Sequence, residues 1–342
     1  MSNKVFDVAV VGATGNVGRA MMSILEERDF PVGRLYPLAS ARSAGSVVKF
    51  RGEDVVVEDL AKFDFSKVQI GLFSAGASVS DVYAPKAAEA GCIVIDNTSR
   101  FRYDDEIPLV VPEVNPHAIA KHDNRGIIAN PNCSTIQMMV ALKPLHDEAG
   151  IDRINVCTYQ AVSGTGKAAI DELIDQSSDV VAGKEAKSEV YPRQIAFNVL
   201  PHIDVFQENG YTKEEMKMVW ETKKIMEDDD IRINPTTVRV PVVNGHSEAV
   251  HIETRKKISA EQARELLEKA PGVVVMDERC DGGYPTAAVD GADSDPVYVG
   301  RIRDDISHEH GLNLWVVADN LRKGAALNSV QIAEILVKDY LN

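Results

Sequence analysis

The chain has no apolar run approaching the ~18 residues a membrane-spanning helix needs, and this removes a helical membrane anchor from consideration. Cysteine is scarce. The four present, Cys92, Cys133, Cys157 and Cys280, are spaced neither as metal ligands nor as disulfide partners. With that usage, and no signal-peptide core before the first strand, a reducing, cytoplasmic setting is expected. Positive charge is also in short supply, since 37 Lys and Arg against 52 Asp and Glu leave a net charge of −15. Such a surface repels a phosphate polymer, so nucleic acid is not an expected partner. Any small anion must be held by a few well-placed cations or helix N-termini, not by the general field of the protein. Repeats and low-complexity tracts are missing as well. What remains is an ordinary globular composition, 44% hydrophobic and 26% charged, over 342 residues. That length suffices for two domains, each burying its own core.

The first third alternates short apolar runs with helical patterns, the mark of a parallel sheet covered on both faces. Strands are expected at Val5–Val11, Arg34–Ala39, Val68–Phe73, Cys92–Asp96 and Gly126–Ala129, with helices at Val17–Arg28 and Val79–Ala90. This is a doubly wound, nucleotide-binding type of α/β architecture. After Cys133 the strands lengthen and alternate: Asn155–Val162, Thr237–Val243, Ala249–Thr254, Val273–Asp277, Val297–Arg303 and Asn313–Ala318. They point to a mixed or antiparallel sheet in a second domain. Helices are expected there at Lys167–Val181 and at Ala260–Lys269, the latter opened by a Ser259/Gln262 capping box. A last helix covers about Ala325–Leu341.

Directly after the first strand stands Gly12-Ala13-Thr14-Gly15-Asn16-Val17-Gly18. Glycines there let a backbone approach a pyrophosphate closely, and the helix that follows supplies N–H donors and positive potential. Where an NAD site would place an Asp or Glu after the second strand, the chain has Ala39-Ser40-Ala41-Arg42-Ser43. A guanidinium between hydroxyls suits a 2′-phosphate, so NADP is preferred to NAD.

Chemistry concentrates at Asn130-Pro131-Asn132-Cys133-Ser134-Thr135, where an apolar strand runs into a helical pattern. Unpaired N–H groups and the dipole of a helix N-terminus favour a thiolate, so Cys133 is a candidate nucleophile. Thiol chemistry near neutral pH needs a group that takes and returns a proton. His246, at the exit of an Asn244-Gly245 turn after a strand reading Arg239–Val243, is the candidate.

Taken together, GATGNVG, SARSAG, Asn97-Thr98-Ser99-Arg100, NPNCST, Tyr159-Gln160-Ala161-Val162-Ser163-Gly164, Glu221-Thr222-Lys223-Lys224, RVPVVNGHS and the stretch Ala318–Ala326 make the chain resemble the aspartate-β-semialdehyde dehydrogenase family, in its shorter branch, across essentially its whole length. The resemblance implies an N-terminal Rossmann-type, NADP-binding domain over residues 1–131, completed by the C-terminal helix at about 322–342. It further implies an α+β catalytic and dimerisation domain with a mixed sheet over 132–321, and a homodimer. Cys133 would be the nucleophile, His246 the acid/base and Gln160 the partner that orients the reacting group. Arg239 would clamp the substrate α-carboxylate and Glu221 would face its amino group, with Arg100, Asn132 and Lys224 holding phosphate. Gly12, Thr14, Gly15, Asn16 and Val17 would line the pyrophosphate, Ser40, Arg42 and Ser43 the 2′-phosphate, and Ser163, Gly164 and Asn320 the nicotinamide.

The implied reaction is reductive dephosphorylation of β-aspartyl phosphate to aspartate semialdehyde through a Cys133 thioester, a step in the synthesis of lysine, diaminopimelate, threonine, methionine and isoleucine. Two alternatives stand beside it. One is N-acetyl-γ-glutamyl-phosphate reductase, which Gly282-Gly283-Tyr284-Pro285-Thr286 faintly resembles, and the other a non-catalytic NADP-binding paralogue.

Overall fold

The computed structural model describes residues 4–341, which fall into two compact units, 4–132 with 325–341 and 133–324. The first unit begins β1 (Phe6–Val11), α1 (Asn16–Glu27), β2 (Val32–Ala39), β3 (Val47–Phe50), β4 (Glu53–Val56) and β5 (Glu58–Asp59). It continues β6 (Ile70–Phe73), α2 (Ala77–Glu89), β7 (Ile93–Asp96) and β8 (Ile127–Ala129). Six strands form an all-parallel sheet in the order β5-β2-β1-β6-β7-β8, while β3 and β4 pair as a separate hairpin. β1 is the hub from which the connections run outward in both directions. Nucleotides bind such sheets at that switch point, off the carboxyl ends of the strands. Burial on both faces explains the continuous apolar runs: Val8, Val10, Ile70, Leu72 and Ile95 are sealed from solvent on one face, and Val11, Phe73 and Val94 on the other.

The second unit contains α3 (Cys133–Ala149), β9 (Ile151–Gln160), α4 (Lys167–Val181), α5 (Lys213–Met226), β10 (Arg232–Arg239), β11 (His246–Thr254), α6 (Ala260–Glu268), β12 (Val273–Val275), β13 (Val297–Asp304) and β14 (Gly311–Ala318). Its mixed sheet runs β10-β9-β11-β14-β13-β12, with parallel pairs at both edges and antiparallel pairs between them. α3, α5 and α6 pack along one face of the sheet. A wide turn, Arg322–Ala326, then leads to α7 (Leu327–Asp339), which packs on α1 and β7 within the first unit.

Two expectations need correction, and one helix was not expected. Val240–Val243 is not strand: β10 ends at Arg239, and the stretch bearing Pro241 leaves the sheet to lie along the segment after β9, with Val162 and Ser163 N–H donating to Val242 and Val243 carbonyls. Pro241 has no N–H to give a ladder. The last helix starts at Leu327, two residues late, because the wide turn precedes it. α5 went unforeseen, although Thr212 and Glu215 form a reciprocal capping box at its start.

Candidate active site

In the first unit the glycine loop is built for close backbone approach. Gly12 has φ +88°, and a Cβ there would stand 2.8 Å from the Ser74 carbonyl oxygen just beyond β6. A Cβ on Gly18 would meet the Gly12 oxygen at 2.3 Å, so α1 packs on the loop only because Gly18 has no side chain. Gly15 is the N-cap of α1 and no side chain caps that end, leaving its first N–H groups for an anion. Thr14, Asn16 and Val17 lie in the same turn. These features fit a dinucleotide pyrophosphate. Beyond β2, Ser40 and Arg42 are exposed in a turn closed by Ser43 N–H to Ser40 C=O at 2.8 Å, leaving the guanidinium at the surface. Sequence reading overlooked β5, which pairs Glu58 and Asp59 beside the end of β2, although the Asp59 carboxylate is engaged by the Ala61 N–H.

In the second unit, three neighbouring strands bring three side chains to one level. Arg239, last in β10, is in register with Gln160, last in β9; His246, first in β11, stands one residue before the Ser247–Tyr159 pair. All three are buried. The His246 ring accepts at Nδ1 from the Ala161 backbone N–H at 3.0 Å. An amide N–H can only donate, so the neutral ring must carry its hydrogen on Nε2. Nε2 is buried with no hydrogen-bond partner. Burial, then the nearby Arg239 charge, pushes the His246 pKa down to about 3, so the ring is a neutral donor. Arg239 gives Nη1 to the Ala161 carbonyl at 2.6 Å, while its buried Nε has no acceptor. Gly164 lies beside both: a Cβ there would be in ordinary contact, 3.4 Å from Arg239 Nη1 and 3.6 Å from His246 Nε2.

Cys133 is the first residue of α3 and is half-buried, its thiol in no disulfide. One helical turn on, Gln137 donates Nε2 to the His246 carbonyl at 3.5 Å, tying the start of α3 to the strand that carries the imidazole. Gly324 closes in from the other side, since a Cβ on it would stand 2.7 Å from the Cys133 Cβ. Asn320 bridges the remaining candidates. Its Nδ2 donates to Ser163 Oγ at 2.9 Å and its Oδ1 accepts from Gly245 N–H at 2.9 Å.

Glu221 and Lys224 lie on α5, Glu221 wholly buried and Lys224 half-buried. Asn132 is buried in the first unit, whereas Arg100 points outward and pairs with Asp81. The buried arginine of that segment is Arg102, whose Nη2 donates to the Asn97 carbonyl at 2.7 Å. Sequence reading also passed over Glu214, Lys217 and Glu248. The first two lie in the first turns of the helix that the Thr212-x-x-Glu215 signal opens; Glu248 sits in a strand pattern with nothing to mark it. Among the described residues no cluster of His, Cys, Asp or Glu could hold a metal, and no helix is long and apolar enough to cross a membrane.

Family models for the semialdehyde dehydrogenase NAD binding domain and dimerisation domain match residues 7–122 and 142–323. The chain is 63% identical over 335 residues to an aspartate-semialdehyde dehydrogenase of Shewanella violacea, covering 98% of each. It superposes with TM-score 0.97 on aspartate semialdehyde dehydrogenase II of Vibrio cholerae complexed with ASA, at 58% identity and over 98% of this chain and 99% of that one. The same enzyme of Candida albicans, solved with NADP, gives TM-score 0.75 at 27% identity over 97% of this chain and 98% of that one.

Proposed function

The chain belongs to the aspartate-semialdehyde dehydrogenase family, and we propose on that premise that it converts β-aspartyl phosphate to aspartate semialdehyde with NADPH, in the biosynthesis of lysine, threonine, methionine and isoleucine. The observation that carries this reading is the pair of buried donors without acceptors, Arg239 Nε and His246 Nε2, on two side chains that both lie beside Gly164 in the unit that holds Cys133. A buried N–H without an acceptor is costly in the free protein. A ligand bearing a carboxylate and a carbonyl oxygen supplies both.

The Cys133 thiolate attacks the acyl carbon, the bond to the phosphate oxygen breaks, and a thioester forms as inorganic phosphate leaves. His246 donates its Nε2 hydrogen bond to the carbonyl oxygen as negative charge gathers there. NADPH, when bound, supplies the hydride that reduces the thioester. His246 then serves the proton transfer at that oxygen as the carbon–sulfur bond breaks, releasing the aldehyde and the thiolate. Arg239 holds the α-carboxylate and Gln160 orients the reacting group. Glu221, buried on α5, suits a free ammonium, which an N-acetylated glutamyl substrate does not have. Asn132 and Lys224 hold phosphate in this reading, and the burial of Arg102 favours it over Arg100 as their arginine partner. Gly12, Thr14, Gly15, Asn16 and Val17 serve the pyrophosphate, Ser40, Arg42 and Ser43 the 2′-phosphate, and Ser163, Gly164 and Asn320 the nicotinamide end. The working form is a homodimer in the cytoplasm.

The test is phosphate-dependent reduction of NADP by aspartate semialdehyde, with N-acetylglutamate semialdehyde and NAD run in parallel. Turnover with the first substrate alone, abolished in Cys133→Ala with NADP binding retained, is the expected result. An active Cys133→Ala protein would remove the thiol from the mechanism.

A further inference from the structure

We propose that Glu214 fixes the amide of Gln160 so that its Oε1, a hydrogen-bond acceptor, and not its Nε2 is the atom offered to the reacting group. The inference rests on the reaction proposed above and deepens it, making Glu214 a positioning residue.

A Gln side chain carries two N–H donors on one end and an acceptor on the other, and the two ends have nearly the same shape. Here the neighbours decide. Gln160 Nε2 lies 3.3 Å from Glu214 Oε1 and 3.3 Å from Thr158 Oγ1. A carboxylate only accepts, so the amide end facing Glu214 must be the NH2. Both of its hydrogens are then taken up, one by Glu214 and one by Thr158. Glu214 is itself held, because Lys217 Nζ sits 2.9 Å from Glu214 Oε2 and 2.8 Å from Asp204 Oδ2. Gln160, Thr158 and Glu214 are all buried, so no competing solvent relaxes the arrangement. The chain Asp204–Lys217–Glu214–Gln160 thus runs inward to the row of Arg239 and His246.

The consequence is a site with one donor and one acceptor of fixed sense. His246 presents Nε2–H because Ala161 N–H occupies Nδ1, and Gln160 presents Oε1 because Glu214 occupies Nε2. The donor suits the carbonyl oxygen as it gains charge. The acceptor suits a group that carries hydrogen, namely the thiol before attack or the hemithioacetal hydroxyl.

Glu214→Gln tests this with almost no change in shape. Lys217 can only donate, so the new amide must turn its oxygen to Lys217 and its NH2 to Gln160. Gln160 then has to flip and offer Nε2. Expected is a fall in kcat of about 10- to 100-fold at unchanged melting temperature. Adding Gln160→Glu restores an acceptor, because that carboxylate accepts from the new amide and from the Thr158 hydroxyl. The double variant should regain at least about 10-fold over Glu214→Gln. Full activity in folded Glu214→Gln, or no gain in the folded double variant, would overturn the proposal. If either variant does not fold, the parent protein decides through the 15N side-chain amide signals of Gln160, assigned by their loss in Gln160→Leu. Slow hydrogen exchange of both N–H protons is expected, and exchange at the solvent rate would sink the idea. Should the parent not turn over aspartate semialdehyde at all, the reaction assignment fails while this exchange measurement still reports on the amide.

Discussion

At the scale of single residues, burial sets protonation against ordinary solution behaviour in two neighbours on β11. His246, lowered to about 3, stays neutral where a solvent-exposed imidazole would titrate near 6.5. Below that ordinary value the unfolded chain binds more protons than the folded one, so this contribution to stability is full above 6.5 and is lost as pH falls toward about 3. Glu248 acts in the opposite sense. Wholly buried, its carboxyl is pushed well above the ordinary 4.5 by desolvation, which the Gln137 amide offsets only in part. The folded state therefore binds the extra proton, and its stability is full below 4.5 and declines as pH rises through the raised value. Glu248→Gln keeps the shape and removes the titration. Its melting temperature relative to the parent should climb as pH rises above the ordinary 4.5, and parallel curves would show that folding does not shift the carboxyl. A second residue-scale prediction separates the two arginines of Asn97–Arg102. Arg102→Lys, which loses a planar fork in a buried place, should raise KM for phosphate about 10-fold or more, whereas Arg100→Lys should stay within about 2-fold. Equal effects would return Arg100 to the site. Cys133 and the glycine loop were legible because their chemistry is local to a strand–helix junction. The buried pairing of Glu214 with Gln160 was not, since 54 residues separate them and only the fold brings them together.

Among the elements, those with a hydrophobic period were readable, and the one whose buried stripe is largely polar was not. α4 spans Lys167–Val181, the range its periodicity predicts, and the Ser259 capping box opens α6 as expected. α5 escaped because its buried positions include Glu214, Glu215, Glu221 and Thr222, a stripe that no hydrophobic period reveals. Met218, Ile225 and Met226 give it apolar burial, and specific hydrogen bonds add to that. Thr212 Oγ1 accepts from Glu215 N–H at 3.3 Å, while Glu215 returns one bond to Thr212 N–H at 2.7 Å and a second to Thr237 N–H of β10 at 3.0 Å. Removing the cap should therefore cost more than a surface Thr would. Thr212→Ala is expected to lower the stability of the second unit by about 1 kcal/mol, and Glu215→Ala by more because it also leaves the buried Thr237 N–H of β10 without its acceptor. Chemical denaturation with equal m-values measures both. A Glu215→Ala loss no greater than that of Thr212→Ala would show that the bond to β10 contributes nothing.

For the whole molecule, composition sets the net charge but not the assembly. A protein of net charge −15 repels its own copies, so self-association needs an apolar surface that outweighs the repulsion. The second sheet has one. Alternation along β9, β11 and β14 sends Gln160, His246 and Glu248 to the helix-covered face and Tyr159, Ala249 and Trp315 to the other, where they line a cleft of about 600 Å³ with Tyr284 and Pro285. The family's dimerisation module spans 142–323 and includes this sheet. If two copies meet there, a charge at Ala249 is buried against its own image. Ala249→Arg should then sediment as a monomer at concentrations where the parent is dimeric, and raising salt from about 0.01 M to about 0.15 M should strengthen the parent dimer by screening its like charges. A dimeric Ala249→Arg protein with unchanged affinity would place the contact elsewhere. Strand alternation already contained the two faces, but which one meets a second copy could not be read from it, because an apolar stripe facing a partner and one facing a helix obey the same period of two.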